Sequence, residues 1–174
     1  MFSRGTSILG RSRVAAAAGL TLLVSGARAS AAEVPDAIAV TGDVAVLRVH
    51  AEGAQIYQCK SDNAGHLTWQ FREPIASLFS DDATVGRHYA GPTWQIENSV
   101  VVGKAVARSR GATAKDIPWL RLDVVEHRGE GKLQDVSAVQ RINTRGGNLE
   151  GRCQSAGALR AVAYSADYIF LRKP

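Results

Sequence analysis

The strongest constraint on the fold is the alternation of apolar and polar residues in short runs, each cut off by a turn-forming cluster, with no long stretch holding a 3.6-residue period. Leu67, Trp69 and Phe71 alternate with Thr68, Gln70 and Arg72, and Leu120, Leu122 and Val124 alternate with Arg121 and Asp123. A period of two sends successive side chains to opposite faces, so each run specifies a half-buried strand. Val44 to Val49, Val-rich and broken only by Arg48, reads as a buried strand ending at His50. Ala51-Glu52-Gly53 then reads as a hairpin loop into a second strand, with Ala54, Ile56 and Gln58 on one face and Gln55, Tyr57 and Cys59 on the other. Pro74 should stop the third run, because proline brings no N–H to a ladder. Pro74 to Gly91, rich in breakers, reads as a surface excursion. Thr93 to Ile96 and Val100 to Ala107 form a strand pair around Glu97-Asn98-Ser99, and Trp119 to Glu126, Val136 to Asn143 and Ala161 to Phe170 complete the series. The pattern predicts an all-β chain, a single antiparallel β-sandwich or barrel with long loops.

The N-terminus has a different character. Arg4, Arg11 and Arg13 precede the mostly apolar run Val14 to Val24, and the small residues around Ala29 and Ala31 follow it. This is the layout of a secretory signal peptide, expected to occupy residues 1–31 and to leave a single secreted β domain at 32–174. The apolar run covers only about half of a ~30 Å hydrocarbon core, and no later segment is apolar for long enough to cross as a helix. No membrane span is therefore expected after signal cleavage, and the expected location is the periplasm or the extracellular space.

Charge narrows the partners. Four of the 21 Lys and Arg residues (Arg4, Arg11, Arg13 and Arg28) lie in the signal segment, which contains no acidic residue, so the remainder carries 17 basic against 16 acidic side chains. A nearly neutral body has no general attraction for a phosphate backbone, and nucleic acid is not an expected partner. The two cysteines, Cys59 and Cys153, suit an oxidising compartment and are expected to be bonded, the alternative being two buried free thiols. Closing a loop of 94 residues removes about 4 to 5 kcal/mol of unfolded-chain entropy in the simplest treatment.

Several segments carry a family resemblance in their joint order: Gly53-Ala54-Gln55-Ile56-Tyr57-Gln58-Cys59, His88-Tyr89-Ala90-Gly91-Pro92-Thr93-Trp94, Ile117-Pro118-Trp119-Leu120, Gln140 to Gly147, Cys153, and Tyr164 to Phe170. Together they resemble a family of secreted and envelope proteins of bacteria and fungi classed as a domain of unknown function. The resemblance implies a secreted β-rich domain with paired cysteines and brings no established reaction. A dehydrogenase label sometimes attached to such proteins is not supported by the residues, since Gly146-Gly147-Asn148-Leu149-Glu150-Gly151 lacks the spacing of a dinucleotide-binding turn.

Chemistry-bearing residues gather at Asp81, Asp82, Arg87, His88, Tyr89, Trp94 and Gln95, where an imidazole, carboxylates and aromatics share one segment. The competing reading makes Tyr89 and Trp94 packing aromatics and bonds His88 to a neighbouring carbonyl. Trp119, Arg141 and Asn143 join the candidate binding set, Arg141 with Asn143 and Thr144 as holders of an anionic or sugar hydroxyl group, or else as residues of a turn. His50, His66, His88 and His127 have no metal-ligand spacing, so no metal and no cofactor are expected. The leading functional reading is a noncatalytic module for an unknown small molecule or envelope component. The alternatives are a small secreted hydrolase acting on a carbohydrate or ester, with His88 and Asp82 as acid and base, and a purely structural envelope or extracellular protein.

Overall fold

Eight strands follow one another around a single antiparallel sheet: β1 (Val44–Ser61), β2 (Leu67–Ser80), β3 (Ala83–Tyr89), β4 (Thr93–Ile96), β5 (Ser99–Ser109), β6 (Trp119–Arg128), β7 (Ala138–Gly146) and β8 (Leu159–Arg172). Each strand pairs with its sequence neighbour, and β8 returns to pair with β1, so the sheet closes into a ring. The ring is uneven, because β1 has 18 residues and β4 only 4. The structure is a computed structural model that describes Met1 and residues 33–174, so the signal peptide expected at 1–31 lies, apart from Met1, outside the described residues. Among the described residues there is no α-helix, only a 3-10 turn at Asp36–Ile38, and no helix long and apolar enough to cross a membrane.

Closure gives the alternating pattern an inside and an outside. Val49 and Ala51 of β1, Leu78 of β2, Trp94 and Ile96 of β4, Val101 of β5, Leu122 of β6, Val139 of β7 and Tyr164, Ala166, Tyr168 and Phe170 of β8 fill the interior. Each such large apolar side chain contributes about 1.5 to 3 kcal/mol when fully buried. A second, smaller cluster lies on the outer face of β6, β7 and β8, where the 3-10 turn brings Ile38 over Trp119, Ala138, Ile142, Ile169 and Leu171. Gln140 anchors this cover by donating from Nε2 to the Ile38 carbonyl at 2.8 Å. The start of β7 (residues 138–140) and the end of β8 (residues 168–171) are therefore buried on both faces.

Three sequence expectations give way here. Ala51-Glu52-Gly53 is no hairpin loop: β1 runs straight through it, paired with β2 on one side and β8 on the other. Gly53 is required for close approach instead, since a Cβ there would collide with the Ile75 carbonyl oxygen and the Ala76 backbone. Pro74 does not end β2. It pairs opposite Gln55 next to a register shift between Ile56 and Tyr57, a bulge where a missing ladder N–H is tolerated. The surface excursion is mostly ordered strand, β2 turning tightly through Asp81 and Asp82, both at positive φ, into β3.

Cys59 and Cys153 form a disulfide with their Cα atoms 5.8 Å apart. The bridge ties β1 to the long β7–β8 connection, which also bonds the β1–β2 end through Cys153 N–H to Leu67 O (3.1 Å) and Trp69 N–H to Gly151 O (3.0 Å).

Candidate functional site

The interior is not filled along its whole length. A cavity of about 590 Å³ opens within the ring, its wall shared by β1, β2, β3, β4, β5, β6, β7 and β8. Its deep part is aromatic. The His88 ring stacks on Trp94 with centroids 4.6 Å apart and planes within 10°, and Tyr168 stands edge-on to Trp94 at 5.3 Å. Leu120, Leu122 and Ile117 add aliphatic wall, and Phe71, 54% exposed, stands at the mouth edge-on to Tyr57 at 5.9 Å. Such a chamber, largely apolar with a few oriented polar groups, has the general form of a small-molecule site.

Polar groups inside it are held in two ways. Some are committed to the protein: the Tyr57 hydroxyl donates to the Gly147 carbonyl at 2.7 Å, and Arg141 donates from Nε (3.1 Å) and Nη2 (2.8 Å) to the Pro118 carbonyl. Gly147, at φ +84°, is what lets this segment approach, because a side chain there would meet Tyr164, Gln55 and Ile117 at 3.0 Å or less. Others are less well satisfied. Gln55 Nε2, Trp94 Nε1 and the Tyr168 hydroxyl, all on cavity-lining residues, are buried without a hydrogen bond of good geometry, as is the hydroxyl of the neighbouring Tyr164, although Gln55, Tyr164, Tyr168 and Arg141 lie close enough to act on one another's polar atoms. Buried polar atoms are satisfied in the great majority of cases, and four of the six such atoms among the described residues lie at or beside this cavity, the other two being Trp119 Nε1 and Arg121 Nε.

Burial sets the protonation states. His88, 2% exposed, is lowered to about 3 by desolvation, against which its bond to Thr93 works, with the Arg141 charge as a lesser downward influence. Its Nδ1–H donates to the Thr93 carbonyl at 2.8 Å, which leaves Nε2 as an acceptor on a neutral ring. Tyr164 and Tyr168 are both pushed up by burial, and the nearby Arg141 opposes the rise in each. The cavity thus holds a neutral imidazole, protonated phenols and the Arg141 cation.

A larger depression of about 730 Å³ is lined by Val40, Asp123, His127, Asp135 and Lys173 among others. His127, Asp135 and Lys173 are exposed, and this open, mixed-charge wall lacks the enclosure of the inner cavity.

The residues expected from the sequence separate into two groups. His88, Trp94 and Arg141 meet in the cavity wall. His88 is in β3 rather than on a loop, and it does bond a neighbouring carbonyl. Tyr89, Gln95, Trp119 and Asn143 do not line the cavity. Gln95 accepts from Arg87 Nη2 at 2.8 Å, while the Arg87 guanidinium lies 5.1 Å from the centroid of Tyr89. Trp119 belongs to the outer cluster, and Asn143, at φ 52°, donates to Asp167 at 2.8 Å. Asp82 sits at the β2–β3 turn, six residues from His88 along an extended strand, or about 20 Å at ~3.3 Å per residue. The acid–base pair of the hydrolase reading is therefore not brought together. Gln55, Tyr57 and Tyr168, with Tyr164 beside them, are polar residues of this region that were not expected as site residues from the sequence. The signal available for them was a polar residue or a tyrosine at alternate positions of a strand buried on that face.

Comparison with known proteins bears on the same residues. A family model described as protein of unknown function, DUF3455, matches residues 40–172. The chain belongs to that family. The DUF3455 match spans all eight strands, both cysteines and every cavity residue named above. No curated protein and no solved structure matches this DUF3455 chain.

Proposed function

We propose that this protein is an exported, noncatalytic binding module that encloses a small organic ligand within its closed sheet. The observation that carries the reading is an aromatic-walled cavity of about 590 Å³ edged by polar atoms of Gln55, Trp94 and Tyr168 that make no hydrogen bond of good geometry. Leaving a donor unpaired in a low-dielectric interior costs about 1 to 3 kcal/mol, a cost that a ligand supplying acceptors offsets. Export is supported by the Cys59–Cys153 bridge, since disulfides form and persist mainly in oxidising compartments. The rigidity of the disulfide-tied ring favours a preformed chamber over one assembled on binding.

Ala105 lines the cavity yet is solvent-exposed, so Ala105→Trp should plug the chamber without crowding the core. Purified protein titrated with phenylnaphthylamine, a neutral dye that fluoresces in apolar surroundings, should take up one molecule per chain saturably, and Ala105→Trp should abolish the uptake. Dye uptake that is unsaturable, or unchanged in the plugged variant, would place the apolar surface elsewhere and remove the reading.

A further inference from the structure

The unsatisfied groups of the cavity share a chemical sense. Gln55 Nε2 and Trp94 Nε1 are donors without a well-formed acceptor, and the Tyr168 hydroxyl, beside Tyr164 and Arg141, makes no hydrogen bond of good geometry and can also donate. Arg141 faces Tyr168 across the β7–β8 ladder, and only its Nε and Nη2 are engaged, both by one carbonyl oxygen. The Tyr168 oxygen is the other polar group beside the guanidinium. Arg72 and Arg108 line the same cavity, and both are exposed. Arg72 is paired with Glu73 at 3.0 Å, but neither Glu73 nor any other Asp or Glu lines the cavity. A cation, convergent donors and no carboxylate, set in an aromatic and aliphatic wall, form a site for negative charge on an otherwise apolar molecule. Water would satisfy single donors. It would leave the Arg141 charge facing only neutral dipoles, the Pro118 carbonyl and the Tyr168 hydroxyl, whereas an anion supplies a full countercharge where the dielectric is low.

We propose that the cavity binds a small amphipathic organic anion, its apolar body against Trp94, Leu122 and Phe71 and its charged head among Arg141, Tyr168 and Gln55. This rests on the reading of the cavity as a ligand site. Tyr168 and Gln55 are positioned by opposite routes: Tyr168 from β8 beside Arg141, and Gln55 from β1 with its side chain against Gly147. The stacked His88–Trp94 pair closes the deep end without adding a charge that would compete with the ligand.

The test uses two dyes with one ring system, anilinonaphthalene sulfonate and phenylnaphthylamine, which differ in the sulfonate. The purified full chain should bind the sulfonate about tenfold more tightly, a difference of about 1.4 kcal/mol. Arg141→Gln should erase the preference, and Ala105→Trp should block both dyes. Because Arg141 also holds Pro118, Tyr168→Phe provides a second variant: it removes a single hydroxyl that makes no hydrogen bond of good geometry, should fold, and should weaken the sulfonate severalfold while changing the neutral dye less. Equal affinities in the wild type, both lost in Ala105→Trp, would overturn the anion proposal and leave the ligand site standing. Failure of both dyes to bind, or binding indifferent to Ala105→Trp, would overturn both.

Discussion

His88 shows how one position changes meaning once its surroundings are known. An imidazole on an exposed loop would titrate near its usual value and tolerate truncation, but this one is buried between Trp94 and Tyr168 with Nδ1 committed to Thr93. Its proton affinity is lowered in the folded state, so the unfolded chain binds a proton that the native chain rejects between pH 6.5 and about 3. Stability should therefore fall as pH drops through that window, by up to about 1.4 kcal/mol per pH unit from this residue. Thermal melts of wild type and His88→Gln across that range check the point, and the variant should show the shallower slope. His88→Ala at neutral pH should cost about 2 kcal/mol or more, since it removes a stacked, bonded ring from a packed site. A near-neutral melt for His88→Ala would mean that the ring is not held as described.

At the scale of the elements, β1 and β2 are the long strands that shape the cavity mouth, and Gly53 sets how closely they approach. Gly53→Ala should destabilise by about 2 to 4 kcal/mol, because the added methyl meets backbone that cannot swing aside. Gly65→Ala is the control: Gly65 sits in the β1–β2 turn at φ +82° with open space around it, so the expected loss is only the conformational strain of about 1 kcal/mol. Chemical denaturation of the two variants separates crowding from strain. The same elements show what was legible in the sequence. The alternation of Leu120, Leu122 and Val124 placed a half-buried strand correctly, and the Glu97-Asn98 turn between β4 and β5 was visible from its polar break. Gly53 and Pro74 misled, because a glycine serving close approach and a proline beside a bulge look, in sequence, like the ends of strands. The facing of Gln55, Tyr57 and Cys59 was open for a related reason. Both faces of β1 carry mixed polarity there, and only closure against β8 decides that these residues point inward. Trp119 was read as a ligand contact because nothing local announces the Ile38 turn that covers it.

For the molecule as a whole, the ring closes through the longest strands, and the disulfide fastens the connection that precedes the last of them. Cys59→Ser with Cys153→Ser should lower stability by about 2 to 5 kcal/mol, with the melting temperature of the wild type falling toward that of the double variant in reductant. Loss of the bridge acts mainly on the unfolded chain, so the cavity should remain competent below the melting transition. The central claim is that this chamber takes a ligand at the face lined by Trp94. Trp94 Nε1–H and Trp119 Nε1–H are both buried without partners, but only Trp94 lines the cavity. The most direct measurement is therefore the indole N–H resonances of ¹⁵N-labelled protein during titration with anilinonaphthalene sulfonate. The Trp94 resonance should move to saturation and its hydrogen exchange should slow, while that of Trp119 stays in place. A stationary Trp94 signal with saturating dye, or a shift confined to Trp119 or Trp69, would contradict the account.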